Sequence, residues 1–307
     1  MEDWPQLTLR FLQYGLLLGL FGWVAFRAVG LRSARWLDTE SGRTTVLVAA
    51  GFAPVVSVLL MLASIAAMMG QPLPSLDWSM IEAMTVSTDM GWAFMLRTAL
   101  LMAGFASLAA RREAFAQPIA ALCFGAALMT LGWSGHAAAT EGALGLVHRI
   151  SDGVHLLAAG MWLGAIGWFV HLSVVAHRDP TRMPAEELLR VLHGFAPFGV
   201  ALVATVSITG LFNAQMIFGL ENSGATLTTT YGLLLAAKIA VVGLMLALGA
   251  HNARTSRRSV VGSGETDGDH RVALSTLRRS LTRELALGIL VLVLVAVLGM
   301  LSPMGME

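Results

Sequence analysis

Eight long apolar runs leave a chain of this kind few ways to fold. They lie at about residues 9–30, 44–69, 91–110, 118–136, 150–176, 194–217, 231–252 and 284–302. Each approaches the roughly 20 residues that a helix needs to cross the hydrocarbon core of a bilayer. A segment inside that core must satisfy its own backbone N–H and C=O groups, and an α-helix does so. With 56% hydrophobic residues and a mean hydropathy of +0.72, a soluble domain of 307 residues is excluded. The predicted fold is all-α, a single polytopic bundle of eight transmembrane helices over residues 1–307, with the lipid bilayer as its first partner.

The net charge of +1 says little, but its distribution orients the bundle. Basic residues crowd the connections after the odd-numbered runs: Arg27, Arg32, Arg35 and Arg43, then Arg111 and Arg112, then Arg178, Arg182 and Arg190. The connection after the seventh run adds Arg254, Arg257, Arg258, Arg271, Arg278, Arg279 and Arg283. Cytoplasmic loops carry such an excess, so both termini are expected to be extracytoplasmic. Segment 262–270 reads as a flexible cytoplasmic loop, and 180–193 as a short amphipathic helix on the inner surface. The acidic start, Met1-Glu2-Asp3-Trp4, lacks the basic region of a cleavable signal peptide. Cys123 stands alone, which leaves no disulfide framework and no thiolate cluster. Gly15/Gly19 and Gly160/Gly164 have the spacing of helix-packing contacts, and Pro54 and Pro197 fall where they would kink the second and sixth spans.

Polar residues collect toward the outer side. His148, Asp152 and His155 stand at i, i+4 and i+7, which stacks them on one helix face with Trp162 two turns further in. The fourth run brings His136 to the same side, and a loop of only eleven residues separates it from His148. Imidazole is the commonest metal ligand, and a neighbouring carboxylate orients it. Arg97 and Lys238 lie within runs at a depth similar to His155. They either snorkel to the headgroups or form a buried polar layer with Asn213 and Gln215. Methionines are also one-sided: Met1, Met68, Met69, Met80, Met84, Met90, Met216, Met300, Met304 and Met306 fall near the outer face, against Met183 inside. Thioethers suit Cu(I) and, unlike thiols, survive an oxidising compartment. Met80 and Met84 equally suit the buried face of a short interfacial helix. No phosphate-cradling loop, HExxH pair or GxSxG elbow is present, and no nucleic-acid partner is expected.

Three stretches resemble the CopD/PcoD copper-resistance family of bacterial inner-membrane proteins: His148–Gly167 with its His-Leu-Leu-Ala-Ala-x-x-Trp-Leu-Gly core, Gly91–Arg97, and Gly232–Lys238. The last span, from Arg283 to Pro303, also resembles the family's ending. The resemblance implies eight spans, copper movement across the inner membrane beside a periplasmic copper-binding protein similar to CopC, and roles for His155, Trp162, Arg97 and Lys238. The expected function is therefore copper transport or handling rather than enzymatic catalysis. Cu(I) would be received by Met80, Met84, His136, His148, Asp152 and His155, with Arg97, Lys238, Trp162 and Asn213 around them. The alternative is a redox protein binding b-haem or quinone, with His155 axial to haem and Arg97 and Lys238 at the propionates. A docking protein for a periplasmic chaperone is a third reading.

Overall fold

A computed structural model of the chain describes residues 4–30, 40–110, 113–261 and 267–302. Met1, Arg32, Arg35, Arg111, Arg112, Met304, Met306 and residues 262–266 lie outside the described residues. In chain order the α-helices are α1 (Trp4–Val29), α2 (Glu40–Met69), α3 (Trp78–Ser87), α4 (Asp89–Ala109), α5 (Glu113–Met129) and α6 (Gly142–Arg178). They continue with α7 (Ala185–Phe218), α8 (Ser223–Thr226), α9 (Thr230–Val261) and α10 (Asp267–Leu298). Eight of them are long and apolar enough to cross a membrane, one for each expected span. The chain is an all-α, multi-pass membrane protein.

The helices overrun the apolar stretches that define them. α6 begins at Gly142 and α10 at Asp267, each well before its apolar run, because nothing in the flanking sequence breaks a helix there. Residues 267–270, expected to be loop, are the first turn of α10. The amphipathic helix expected at 180–193 is not separate: residues 185–193 are the opening turns of α7, capped by Pro184 and braced by Arg190 against Glu186 and Glu187. Pro197 lies inside that helix without ending it, as Pro54 does in α2 and Pro118 in α5. The fourth run, by contrast, is not one helix. α5 stops at Met129, and short 3₁₀ turns follow at Thr130–Trp133 and His136–Ala139.

α6 is the central pillar, packed against α1, α5, α7 and α10. Its contact with α1 is made backbone to backbone. A Cβ added to Gly22 would lie 2.0 Å from the Gly160 carbonyl oxygen, and one added to Gly164 would lie 2.2 Å from that of Gly22. The expected pair Gly160/Gly164 thus packs as small residues do, but its partner is Gly22 and not Gly15/Gly19, whose missing side chains face open space. One turn further on, Trp23 stacks on Trp168 at 4.2 Å, and the Trp168 indole donates to the Trp23 carbonyl at 2.8 Å. An even number of crossings puts residues 4 and 302 on one side, here termed the terminal face. There Arg10 Nη1 donates to the Gly299 carbonyl at 2.9 Å, tying the first span to the last.

Gly22→Ala is expected to cost about 1–3 kcal/mol through overpacking, read as a lower midpoint of unfolding in mixed detergent micelles. Gly19→Ala, with space around it, serves as the control and should leave the midpoint unchanged.

Candidate functional site

The candidate site descends one face of α6 from the terminal face. His148, one and a half turns into the helix, is 1% exposed, and its Nδ1 pairs with Thr140 Oγ1 at 2.9 Å. His136 stands opposite on the second 3₁₀ turn. Its Nε2 lies 3.2 Å from the Leu298 carbonyl, and its ring meets Tyr231 edge-on at 5.8 Å. A carbonyl oxygen only accepts, so Nε2 carries the proton and Nδ1 keeps its lone pair. The two imidazoles are close enough to feel each other electrostatically. His155, two turns below His148, is held the same way: its Nδ1 reaches the Val206 carbonyl at 3.1 Å and Thr209 Oγ1 at 3.0 Å. Gly210 makes room for this ring, since a Cβ there would come within 3.3 Å of it. All three histidines therefore have one nitrogen pinned by the protein and one left over, the arrangement that orients a metal-binding imidazole.

Asp152 lies between the two levels. Its Oδ1 accepts from Asn213 Nδ2 at 3.3 Å, while Ser151 Oγ donates to Asn213 Oδ1 at 2.8 Å, so one amide clamps α7 to α6. Lys238 of α9 acts electrostatically on both Asp152 and His155. Asp152 is the carboxylate whose charge acts on Lys238. Glu82 and Asp89 are exposed on α3 and at the start of α4.

Arg97 is fully buried and does not snorkel. Its Nε donates to Thr130 Oγ1 at 2.7 Å, and its Nη2 donates to the Thr130 carbonyl at 3.0 Å and Ser134 Oγ at 3.3 Å. The guanidinium also lies over the Phe94 ring at 4.5 Å. The end of α5 at Met129 explains this: the following 3₁₀ turn brings Thr130 and Ser134 to the guanidinium. Gln215 does not join the layer. It is exposed and caps the α7–α8 connection through Leu220 N at 2.9 Å.

The expected ligands are thus only partly gathered. His136 and His148 lie within electrostatic reach of each other but bond to separate partners, Asp152 meets Asn213 and the charge of Lys238, and Met80 and Met84 sit half-exposed on α3, against α2 and α4. Among the described residues no three His, Cys, Asp or Glu side chains form a metal-binding set. Helix geometry accounts for it, since seven residues separate His148 from His155 by about 10 Å. Two methionines at the terminal face, Met68 and Met90, instead line a cavity of about 300 Å³ with Arg10, Gln13, Tyr14 and Ser134. Sequence reasoning missed Tyr14, Thr140 and Thr209, which carry no signal beyond being polar within or beside apolar runs. It also passed over Glu284, 2% exposed, which accepts from Asn252 Nδ2 at 3.0 Å and bonds to the Trp162 indole.

Comparison with known proteins bears on these residues. Residues 1–146 match the profile for a copper resistance protein D-like N-terminal domain, and residues 189–298 match that for copper resistance protein D. Copper resistance protein D of Pseudomonas syringae pv. tomato is 32% identical over 318 residues, spanning 99% of this chain and 98% of that protein. The chain belongs to the copper resistance protein D family. Copper transport protein CutJ of Bacillus subtilis (strain 168) is 30% identical over 170 residues, covering 55% of this chain and 28% of that protein. No solved structure matches. Within the family's two matched regions, His136 falls in the first and Asn213, Lys238 and Glu284 in the second. α6 largely fills the interval between them.

The two buried cations should respond differently to removal. Arg97→Ala strips three hydrogen bonds from Thr130 and Ser134 and is expected to cost about 3 kcal/mol or more. Lys238→Met, which breaks no hydrogen bond among the described residues, should cost under about 1 kcal/mol. Unfolding in detergent mixtures compares the two.

Proposed function

We propose that this member of a copper-handling family carries copper across the bacterial inner membrane. Both termini would then be extracytoplasmic and the terminal face periplasmic. The observation that carries this reading is the set of three imidazoles each held through one nitrogen, His148 and His155 on one face of α6 and His136 on the 3₁₀ turn toward the terminal face. Each ring has one nitrogen tied to the protein and the other available, so a soft cation meets oriented lone pairs at successive depths. Half-exposed Met80 and Met84, with Met68 and Met90 in the cavity beside Tyr14, supply thioethers that favour Cu(I) at the approach. A periplasmic copper-binding protein similar to CopC is the natural donor to that face.

Lys238 would repel a monovalent cation passing Asp152, and the Asp152 carboxylate offsets that charge. Arg97 is spent on Thr130 and Ser134 and stays off the copper route. The sequence holds no ATP-hydrolysis motif, so flux follows the copper gradient or is exchanged for protons, with Asp152 as the carboxylate nearest the imidazoles. The b-haem or quinone reading is not favoured, because the family and the relatives that share it are named for copper.

Copper flux into proteoliposomes tests the proposal. His148→Ala should abolish accumulation while leaving insertion intact, and Thr140→Val, which only frees the ring, should weaken copper affinity about tenfold. Unchanged uptake in both would remove His148 from the route. Asp152→Asn should flatten the pH dependence of the flux. A wild-type profile in that variant would assign the proton to another group.

A further inference from the structure

Beyond the imidazole face lies a second polar thread that copper binding at the mouth does not use. It follows the seam between α9 and α10, on the side away from the termini. Asn252, Ser256 and Ser259 recur at i, i+4 and i+7 on α9, and Ser280 and Glu284 at i and i+4 on α10. All five are buried: Asn252 is 3% exposed, Ser256 0%, Ser259 8%, Ser280 6% and Glu284 2%. In an antiparallel hairpin that starts and ends beyond the apolar runs, these positions form a line of polar groups leading from the opposite face to the interior. Glu284 stands at its inner end, where α6 contributes Trp162.

The bonding at that end is unbalanced. Asn252 Nδ2 donates to Glu284 Oε2 at 3.0 Å, but Asn252 Oδ1 is sealed from solvent with no hydrogen-bond partner, and so is Ser280 Oγ. Glu284 has no ion-pair partner among the described residues. The helices packed on α10 are α1, α6, α7 and α9. In this half of the bundle they bring Arg27, His171, His193, His251 and Arg254, and none of these bonds to Glu284. α10 itself brings Arg279 and Arg283, both exposed. An orphaned amide oxygen beside a carboxylate with no cation is a site short of one proton. A carboxylate accepts from the amide N–H, whereas the carboxylic acid donates to the amide oxygen once the amide turns over. Asn252 can serve either state.

We propose that Glu284 is a proton-binding residue loaded through the α9–α10 seam from the face opposite the termini. The proton comes from water at the opposite face and passes along the serine hydroxyls, each of which can accept one proton and donate another. It converts the carboxylate to the acid, and the same route returns it to that water when the acid ionises. The proton enters and leaves at one face, so its binding stands apart from the copper transport proposed above.

Infrared titration of the full-length protein in lipid bilayers tests proton binding without any flux. A protonated-carboxyl carbonyl band should grow as pH falls, vanish in Glu284→Gln and survive in Asp152→Asn. Ser280→Ala, which keeps the carboxyl group, should retain the band and slow its appearance after a pH jump severalfold. A band that persists in Glu284→Gln, or that does not change with pH in the wild type, overturns the proposal. A wild-type chain that moves no copper sinks the transport reading alone, and the infrared result still decides Glu284.

Discussion

The contact of Gly22 with Gly160 and Gly164 sets the spacing on which the rest of the bundle depends. Lipid tails are as apolar as leucine, so spans associate through close packing and hydrogen bonds rather than by escape from water. Three glycines let α1 and α6 touch through their backbones, and the Trp23–Trp168 stack locks their rotation one turn away. With α1 pressed against α6, α7 packs along α6 as well, and α10 bridges α1, α6 and α7. His155 can then reach the Val206 carbonyl, and Asn213 can clamp Ser151 and Asp152. The polar face exists because the apolar face is so tightly committed.

The two buried cations show how a membrane interior tolerates charge. Each costs a few kcal/mol at mid-bilayer unless something replaces its hydration. For Arg97 the replacement is a broken helix: Thr130 and Ser134 come within reach only because α5 ends at Met129. Its planar fork takes several acceptors at once, as a guanidinium is shaped to do. Lys238 has a point charge on a flexible stem and is balanced instead through space by Asp152. One cation thus braces the scaffold, and the other sits among the polar groups of α6 and α7.

Much of this was legible in the sequence, for a physical reason. In an apolar background each polar residue costs energy, so His148, Asp152, His155, Arg97 and Lys238 stood out by position alone, and span count followed from run length. What escaped was what depends on backbone. The apolar run to 136 gave no sign that the helix stops at Met129, and hydropathy cannot tell a helix from a 3₁₀ turn. The spacing of Gly15 and Gly19 was as suggestive as that of Gly160 and Gly164, yet only one pair faces a neighbour. Glu284 stands at the first position of the apolar run 284–302, where a carboxylate reads as the edge of a span. Its burial comes from α10 beginning 17 residues earlier, at Asp267.

A single stripe on α9 connects these observations. Tyr231, Lys238, Met245 and Asn252 recur every seven residues, a spacing that keeps them on one side of the helix. Each meets the site at its own depth: Tyr231 at His136, Lys238 at Asp152 and His155, and Asn252 at Glu284. Met245 falls between the last two and is 3% exposed, packed with Trp162, Ile166 and Leu202. α9 packs on α7 and α10 rather than on α6, so it is side chains that close the gap. The imidazole–carboxylate group toward the terminal face and Glu284 toward the opposite face are therefore separated by one apolar layer containing a thioether and an indole. A protein that moves a cation without short-circuiting the proton gradient needs such a layer. A continuous line of hydroxyls and carboxylates would conduct protons unaided, whereas a thioether offers a soft metal a ligand and offers a proton almost nothing.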